Sequence, residues 1–167
     1  MENYTQQLDA LYQSMIAYDA GDAARIQHFT KVHSFARLIG RMEQLTEEQL
    51  VILEAAAYVH DIGIKPSEQR YGDCSGKHQE ELGPAPAREL LSQCGFTAQQ
   101  TERVAYLVGH HHTYTDIDGA DYQILVEADF LVNFFETESP AEIIRHTYET
   151  IFRTESGKDI CRKMFGV

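Results

Sequence analysis

Apolar residues recur every three or four positions along most of the chain, and this spacing is typical of helices that bury one face. The first such run extends from about Tyr4 to Tyr18 and stops before Gly21, after which Asp22 can cap the next helix. No stretch shows the strict alternation of apolar and polar residues that a half-buried strand requires. The pattern therefore predicts an all-α fold. The predicted helices cover about residues 4–18, 22–39, 46–61, 77–94, 97–112, 120–136, 141–153 and 156–165, with a loop at 62–76.

Two of these helices begin with a capping box, in which a threonine and a glutamine three residues later exchange hydrogen bonds. Thr46 and Gln49 form one such box, and Thr97 and Gln100 form the other. We therefore expect the third and fifth predicted helices to begin at these threonines.

The composition indicates an ordinary globular domain. With 167 residues, 43% of them hydrophobic and 24% charged, the chain is long enough to bury one core. No apolar run approaches the roughly 18 residues of a membrane-spanning helix, so we predict no membrane association. The formal net charge of −12 disfavours a nucleic-acid polymer as partner, because its phosphates would be repelled. Bound divalent cations would offset part of this charge, so a small phosphorylated substrate is compatible with it.

The cysteines indicate a reducing compartment. Cys74, Cys94 and Cys161 form no Cys-x-x-Cys pair, and their odd number leaves one thiol over under any disulfide scheme. We therefore predict a cytoplasmic location.

An adjacent histidine and aspartate, His60 and Asp61, end an otherwise apolar helical run, and Gly63 and Pro66 follow as turn signals. Burying ionisable groups there costs several kcal/mol, about 2 for each group that is left unsatisfied. A metal ion would satisfy both groups, so the pair is a candidate for metal ligation.

Further candidates lie on other predicted helices. His33, His111 and Asp129 occupy positions on apolar faces, and His78 lies in the first turn of its helix. A single histidine on an apolar face is more often a core residue bonded to a carbonyl. Asp129 alone could cap a helix or pair with an arginine, and residues 110–112 alone could be a solvated helix end. Together they would need several separate buried partners, whereas one metal centre accounts for all of them. Imidazole and carboxylate ligands suit Fe, Mn, Co, Ni or Zn.

Two other histidines have no such support. His28 and His146 are interpreted as ordinary surface or core residues.

The ordered set resembles the signature of the HD-domain superfamily of metal-dependent phosphohydrolases, and Ile62-Gly63 completes the HDIG form of that signature. The resemblance covers about residues 26–133 and implies a bundle of five or more helices, in agreement with the periodicity. We therefore expect residues 1–167 to form a single HD domain, with helices of 140–165 packed on the motif core. The residues that carry the resemblance are His33, His60-Asp61, His78, His110-His111 and Asp129.

The resemblance implies that one metal ion is held by His33, His60, Asp61 and Asp129. In relatives with two metal ions the signature aspartate is shared between them, and Asp61 occupies that position here. We therefore predict two divalent transition-metal ions.

The ligands of the second ion are implied in the same way. Relatives place histidines at the positions of His78 and His110, sometimes with the neighbouring His111. The family spacing favours His110, while helical periodicity from Leu107 favours His111, so both remain candidates. His112 is expected to face solvent.

The resemblance further implies hydrolysis of a small phosphomonoester or phosphodiester, with a nucleotide as the leading substrate and a hydroxide shared by the two ions as nucleophile. Asp61 would then belong to the catalytic centre. Lys65 resembles the basic residue that many relatives place near the substrate phosphate, although a solvated loop lysine explains it as well. Arg70 is a weaker candidate of the same kind.

Two other classes of function remain open. Certain HD-domain relatives use a similar ligand set to hold two irons and oxidise a C–H bond with O₂. A non-catalytic, ligand-sensing protein is the third possibility. The sequence leaves the oligomeric state open between monomer and homodimer.

Overall fold

The computed structural model describes residues 2–167, with side chains described from residue 4 onwards. Within that range every regular secondary-structure element is an α-helix, and no strand is present. The prediction of an all-α fold is therefore confirmed. The helices are α1 Glu2–Tyr18, α2 Ala23–Met42, α3 Glu47–Val59, α4 Ile64–Tyr71, α5 Gly76–Leu82, α6 Pro84–Gln93, α7 Ala98–Val108, α8 Ala120–Glu136, α9 Ala141–Thr150 and α10 Glu155–Phe165.

The predicted helix starts are confirmed by side-chain hydrogen bonds. The Asp22 side chain accepts a hydrogen bond from the backbone N–H of Arg25 at the start of α2. Both capping boxes form, with Thr46 opening α3 and Thr97 opening α7. These caps satisfy backbone donors that lack a partner in the first turn of a helix.

Two predictions for the middle of the chain were wrong. The predicted loop at 62–76 contains α4, because Pro66 lies in the first turn of that helix, where a missing N–H costs nothing. The predicted helix at 77–94 is two helices, α5 and α6, which meet at Gly83 and Pro84. Pro84 occupies the first position of α6. Proline is favoured at this position because its φ is fixed near the helical value and its missing N–H would have no partner there.

The core is built around α3 and α8, which are buried on nearly every side. Every residue of α3 from Val51 to Val59 is buried, and α8 buries most of its length. Helix α2 packs against both, α7 packs against α3, and α1 covers α3 from outside. This arrangement places the end of α3 between α2, α7 and α8, so side chains at residues 60 and 61 meet those of α2, α8 and the turn that follows α7.

The last two helices pack on the outside of this core. Helix α10 contacts α8, α9 and α2, and its Cys161 is fully buried. The ring of Phe165 meets that of Phe134 edge to face, with centroids 5.6 Å apart. Among residues 2–167, no helix has both the length and the apolar content that crossing a bilayer would need.

Candidate metal centre

Histidines and aspartates from three helices meet at the end of α3. Nε2 of His28, on α2, lies 3.2 Å from Nε2 of His60 and 3.1 Å from Oδ1 of Asp129 on α8. Oδ2 of Asp61 lies 3.4 Å from both imidazole nitrogens. All but Asp61 are buried, and the side chain of Asp61 is 24% exposed. These four residues, His28, His60, Asp61 and Asp129, are called the first group below.

A second set of donors shares Asp61 with the first. One ligand atom each from Asp61, His111 and His112 lies within 4.8 Å of the others. Nε2 of His111 is 3.4 Å from Oδ1 of Asp61, whereas it is Oδ2 that approaches His28 and His60. Asp61 therefore stands between two sets of imidazoles. The residues Asp61, His111 and His112 are called the second group.

The imidazoles of His28, His60 and His111 are oriented by the hydrogen bonds of their Nδ1 atoms. Nδ1–H of His60 donates to the carbonyl of Ala57 at 2.9 Å, and that of His111 donates to the carbonyl of Val108 at 2.8 Å. Nδ1 of His28 lies 2.7 Å from a carboxylate oxygen of Glu136. Because each Nδ1 carries the proton in such a bond, each Nε2 presents a lone pair to the centre when the ring is neutral.

One of these lone pairs has no partner. Nε2 of His111 is buried and has no hydrogen-bond partner among the described residues, because in the neutral ring it and Oδ1 of Asp61, 3.4 Å away, are both acceptors. A buried polar atom without a partner costs free energy of about 1–3 kcal/mol. The donor set of imidazole nitrogen and carboxylate oxygen suits a transition-metal ion, which would satisfy this atom. The residues present therefore fit a metal ion.

The charges in the centre shift the pKa values of its members in opposite directions. Burial alone would lower the pKa of His60, but the charges and hydrogen bonds of Asp61 and Asp129 raise it well above its usual value. The same competition raises the pKa of His28. Burial alone would raise the pKa of Asp61, but the neighbouring His60 holds it well below its usual range. Two ionised carboxylates thus favour positive charge at this point, whether it comes from protons or from a metal ion.

His112 differs from the other histidines of the centre. Burial, followed by the charge of His111, lowers its pKa to about 4, so the ring is neutral near pH 7. Its Nε2 lies 3.2 Å from Oε1 of Gln79, whose amide N–H₂ donates to the carbonyl of Cys74. With the Gln79 amide in that orientation, Nε2 of His112 is the donor and its Nδ1 carries the lone pair. A side chain at Gly76 would overlap the His112 ring, with its Cβ 2.8 Å from Cγ, so α5 packs closely against it.

The turn at residues 110–113, which contains His111 and His112, is hydrogen-bonded to two helices. A carboxylate oxygen of Glu80, on α5, accepts from the backbone N–H of His112 at 2.9 Å and from the hydroxyl of Thr113 at 3.0 Å. The hydroxyl of Tyr122, on α8, donates to the carbonyls of His110 and Thr113. The second group is therefore built on a turn that α5 and α8 keep in place.

The structure does not place His33 in either group. Its Nε2 is 2.8 Å from Oε2 of the buried Glu54, and its ring stacks on Tyr58 with centroids 4.0 Å apart. It lines a separate groove of about 490 Å³ between α1, α2 and α3. His28 and His33 are five residues apart, which turns their side chains about 140° from each other around α2. His28 therefore lies in the first group, where the sequence analysis had predicted His33.

His78 and His110 also lie outside both groups. Nδ1 of His78 is 2.8 Å from a carboxylate oxygen of Asp73, and its ring stacks on Tyr71 with centroids 3.9 Å apart. Nδ1–H of His110 donates to the carbonyl of Tyr106, and the two rings stack 4.1 Å apart. Of the two candidates in the triple histidine, His111 reaches the centre, as helical periodicity predicted.

Lys65 lies near the centre but is engaged elsewhere. Its Nζ donates to the carbonyl of Tyr18 at 2.6 Å and lies 4.9 Å from the centre of the Tyr18 ring. The hydroxyl of Tyr18 in turn donates to the carbonyl of Ile62. Arg70 points toward Glu81, with 4.0 Å between the charged atoms.

Sequence reasoning missed two members of the centre, His28 and His112. His28 shares a spacing of four with Val32 and Ala36, both buried, so a signal for its burial was present in the sequence. That signal did not distinguish His28 from His33, because α2 buries a broad face and His33 lies next to that face. His112 lies beyond the end of α7, where helical periodicity no longer predicts side-chain direction.

The comparison with protein families agrees with this geometry. The family model of the HD domain matches residues 25–151, a range that includes both groups and Glu136. No match was found among curated proteins or solved structures. Since the matched range is most of the chain and includes every residue of the centre, this protein belongs to the HD-domain family.

Proposed function

We propose that this protein is a metal-dependent phosphohydrolase that acts on a small phosphorylated substrate, with a nucleotide as the leading candidate. HD domains are in general metal-dependent phosphohydrolases, which supports the class of reaction. The observation that carries the proposal is the position of Asp61. Its two oxygens face opposite sets of imidazoles, at 3.4 Å from His28 and His60 on one side and from His111 on the other.

The proposed ligands differ from those implied by the sequence. The first group would hold one ion through His28, His60, Asp61 and Asp129. The second group would hold another through Asp61, His111 and His112, with His112 using Nδ1. Fe, Mn, Co, Ni and Zn all suit these nitrogen and oxygen donors. When bound, such ions lower the pKa of water and neutralise charge that develops on phosphoryl oxygens.

The chain's own residues then have distinct roles. Asp61 provides negative charge to both groups, and its partial exposure leaves the centre open to a small substrate from that side. His60 and His111, at 0% and 1% exposed, are shielded from water. The role of Lys65 in binding phosphate stays a prediction. To bind substrate, its Nζ would have to give up the hydrogen bond to the Tyr18 carbonyl.

The test begins with metal content after anaerobic purification and reconstitution with each metal. We expect two equivalents in the wild type and loss of the first ion in His28→Ala. His33→Ala is the matched control, since it removes a histidine of the same helix that lies outside both groups. If His33→Ala loses metal and His28→Ala retains it, the assignment of the first group is wrong.

Activity separates the remaining classes. Turnover of a panel of phosphomonoesters, phosphodiesters and nucleotides that is lost in Asp61→Ala would support the proposal. Two equivalents of iron with O₂ consumption and no phosphoester turnover would replace it with the oxygenase. A failure to bind any metal would exclude both enzymes and leave a ligand-sensing role.

A further inference from the structure

One histidine of the first group is supported differently from the others. His60 and His111 donate Nδ1–H to carbonyls of their own backbone, three residues earlier in the chain. His28 instead meets the carboxylate of Glu136, at 2.7 Å. Such a contact depends on one side chain, so it can be removed without altering the course of the backbone.

Glu136 and the ligand Asp129 lie on one face of α8. They are seven residues apart, which corresponds to two turns and about 10 Å along the helix. Asn133 lies between them and donates a hydrogen bond to Oδ1 of Asp129 at 2.8 Å. The imidazole of His28 spans the two carboxylates, with Nδ1 toward Glu136 and Nε2 toward Asp129.

We propose that Glu136 is a positioning residue that holds the proton of His28 on Nδ1 and directs the lone pair of Nε2 into the first group. This inference rests on the proposed function, because it assigns Glu136 a role in metal binding. A carboxylate is a stronger acceptor than a backbone carbonyl, so it also makes the imidazole a stronger donor to a metal. Glu136 would thus set the affinity of the first ion without touching it.

Lys31 fixes the carboxylate in this role. Its Nζ lies 2.5 Å from Oε1 of Glu136, which leaves Oε2 for His28. The side chain of Glu136 is only 27% exposed, which limits the water that competes for the same oxygen.

The experiment is a calorimetric titration of Zn²⁺ or Mn²⁺ into metal-free protein. Glu136→Leu removes the acceptor, and we expect it to weaken binding of the first ion about 10–100-fold. Glu136→Gln keeps an oxygen acceptor of nearly the same shape but loses the charge, so its loss should be smaller. Glu149→Gln, an exposed change of the same charge, is the control and should bind as the wild type does.

The outcomes distinguish this inference from the function on which it rests. If the wild type binds metal and Glu136→Leu binds within about threefold of it, the role of Glu136 is refuted while the proposed function stands. If the wild type binds no metal, the proposed function fails first. Thermal unfolding of the metal-free variants shows whether Glu136→Leu is folded. If it is not, Glu136→Gln decides, and affinity equal to that of the wild type would overturn the inference.

Discussion

Glu127 offers a test of how the last part of the chain is attached to the HD domain. This carboxylate is fully buried on α8, two residues before Asp129, a proposed metal ligand. Its Oε1 accepts from the backbone N–H groups of Arg153 and Thr154 at 2.6 and 2.9 Å, and from the side chain of Gln123 at 2.8 Å. Its Oε2 accepts from the hydroxyl of Thr154. One side chain therefore holds the segment between α9 and α10.

Glu127→Ala removes the acceptor of two backbone donors together. Each buried donor that loses its partner costs about 1–3 kcal/mol. Since Arg153 is at the surface and water can reach part of this segment, we expect the lower half of the summed range, about 3 kcal/mol. Glu127→Gln keeps an oxygen of the same shape for both backbone donors, and we expect it to cost about 1 kcal/mol.

Urea unfolding followed by circular dichroism measures both variants, with the free energy of unfolding taken by linear extrapolation. A loss of 3 kcal/mol is large against a typical total of about 5–15 kcal/mol, yet it leaves a folded protein to compare. If Glu127→Ala costs less than about 1 kcal/mol, or no more than Glu127→Gln, the unsatisfied-donor argument is refuted.

Two further predictions concern close packing. Gly63→Ala would place its Cβ against the backbone carbonyl of Gln79, which cannot rotate away, so we expect a loss of about 1–3 kcal/mol in the same unfolding assay. Because Gln79 contacts His112, a proposed ligand of the second ion, the variant should also lose affinity for that ion relative to the wild type and keep its affinity for the first. Equal retention of both ions would contradict this. Burial raises the pKa of Cys161 to about 11, so at pH 8 a thiol reagent should modify the exposed Cys74 quickly and reach Cys161 only after unfolding.

The fold was predictable from the sequence because the signals that determine it are local. Apolar spacing and the caps at Thr46 and Thr97 act within one or two turns, and both caps form as predicted. The errors arose at prolines, whose local signal fits both a loop and the first turn of a helix. Pro66 was interpreted as part of a loop, although a proline in the first turn is compatible with a helix.

The candidate site was predictable only in part. Asp129 lies on α8, and His60 and Asp61 directly follow the end of α3. Both helices are buried on nearly every side, so the direction of Asp129 and His60 hardly depends on the exact register. The choice between His28 and His33 depends on which side of α2 faces α8, and that is a property of the tertiary arrangement. The same holds for His112, whose direction is determined by Gln79 on α5.

The bonds of Tyr18 have a consequence for how HD domains could diverge. Tyr18 ends α1, outside the matched range of 25–151, yet it donates to the carbonyl of Ile62 and accepts from Lys65. The segment that follows Asp61 is therefore fastened to a helix that lies outside the matched range. Exchanging α1 for another helix would remove these two contacts of residues 62–65, while the proposed metal ligands, which lie on other elements, would keep theirs. On the proposed function, substrate preference could thus change during evolution through a helix that supplies none of the proposed ligands.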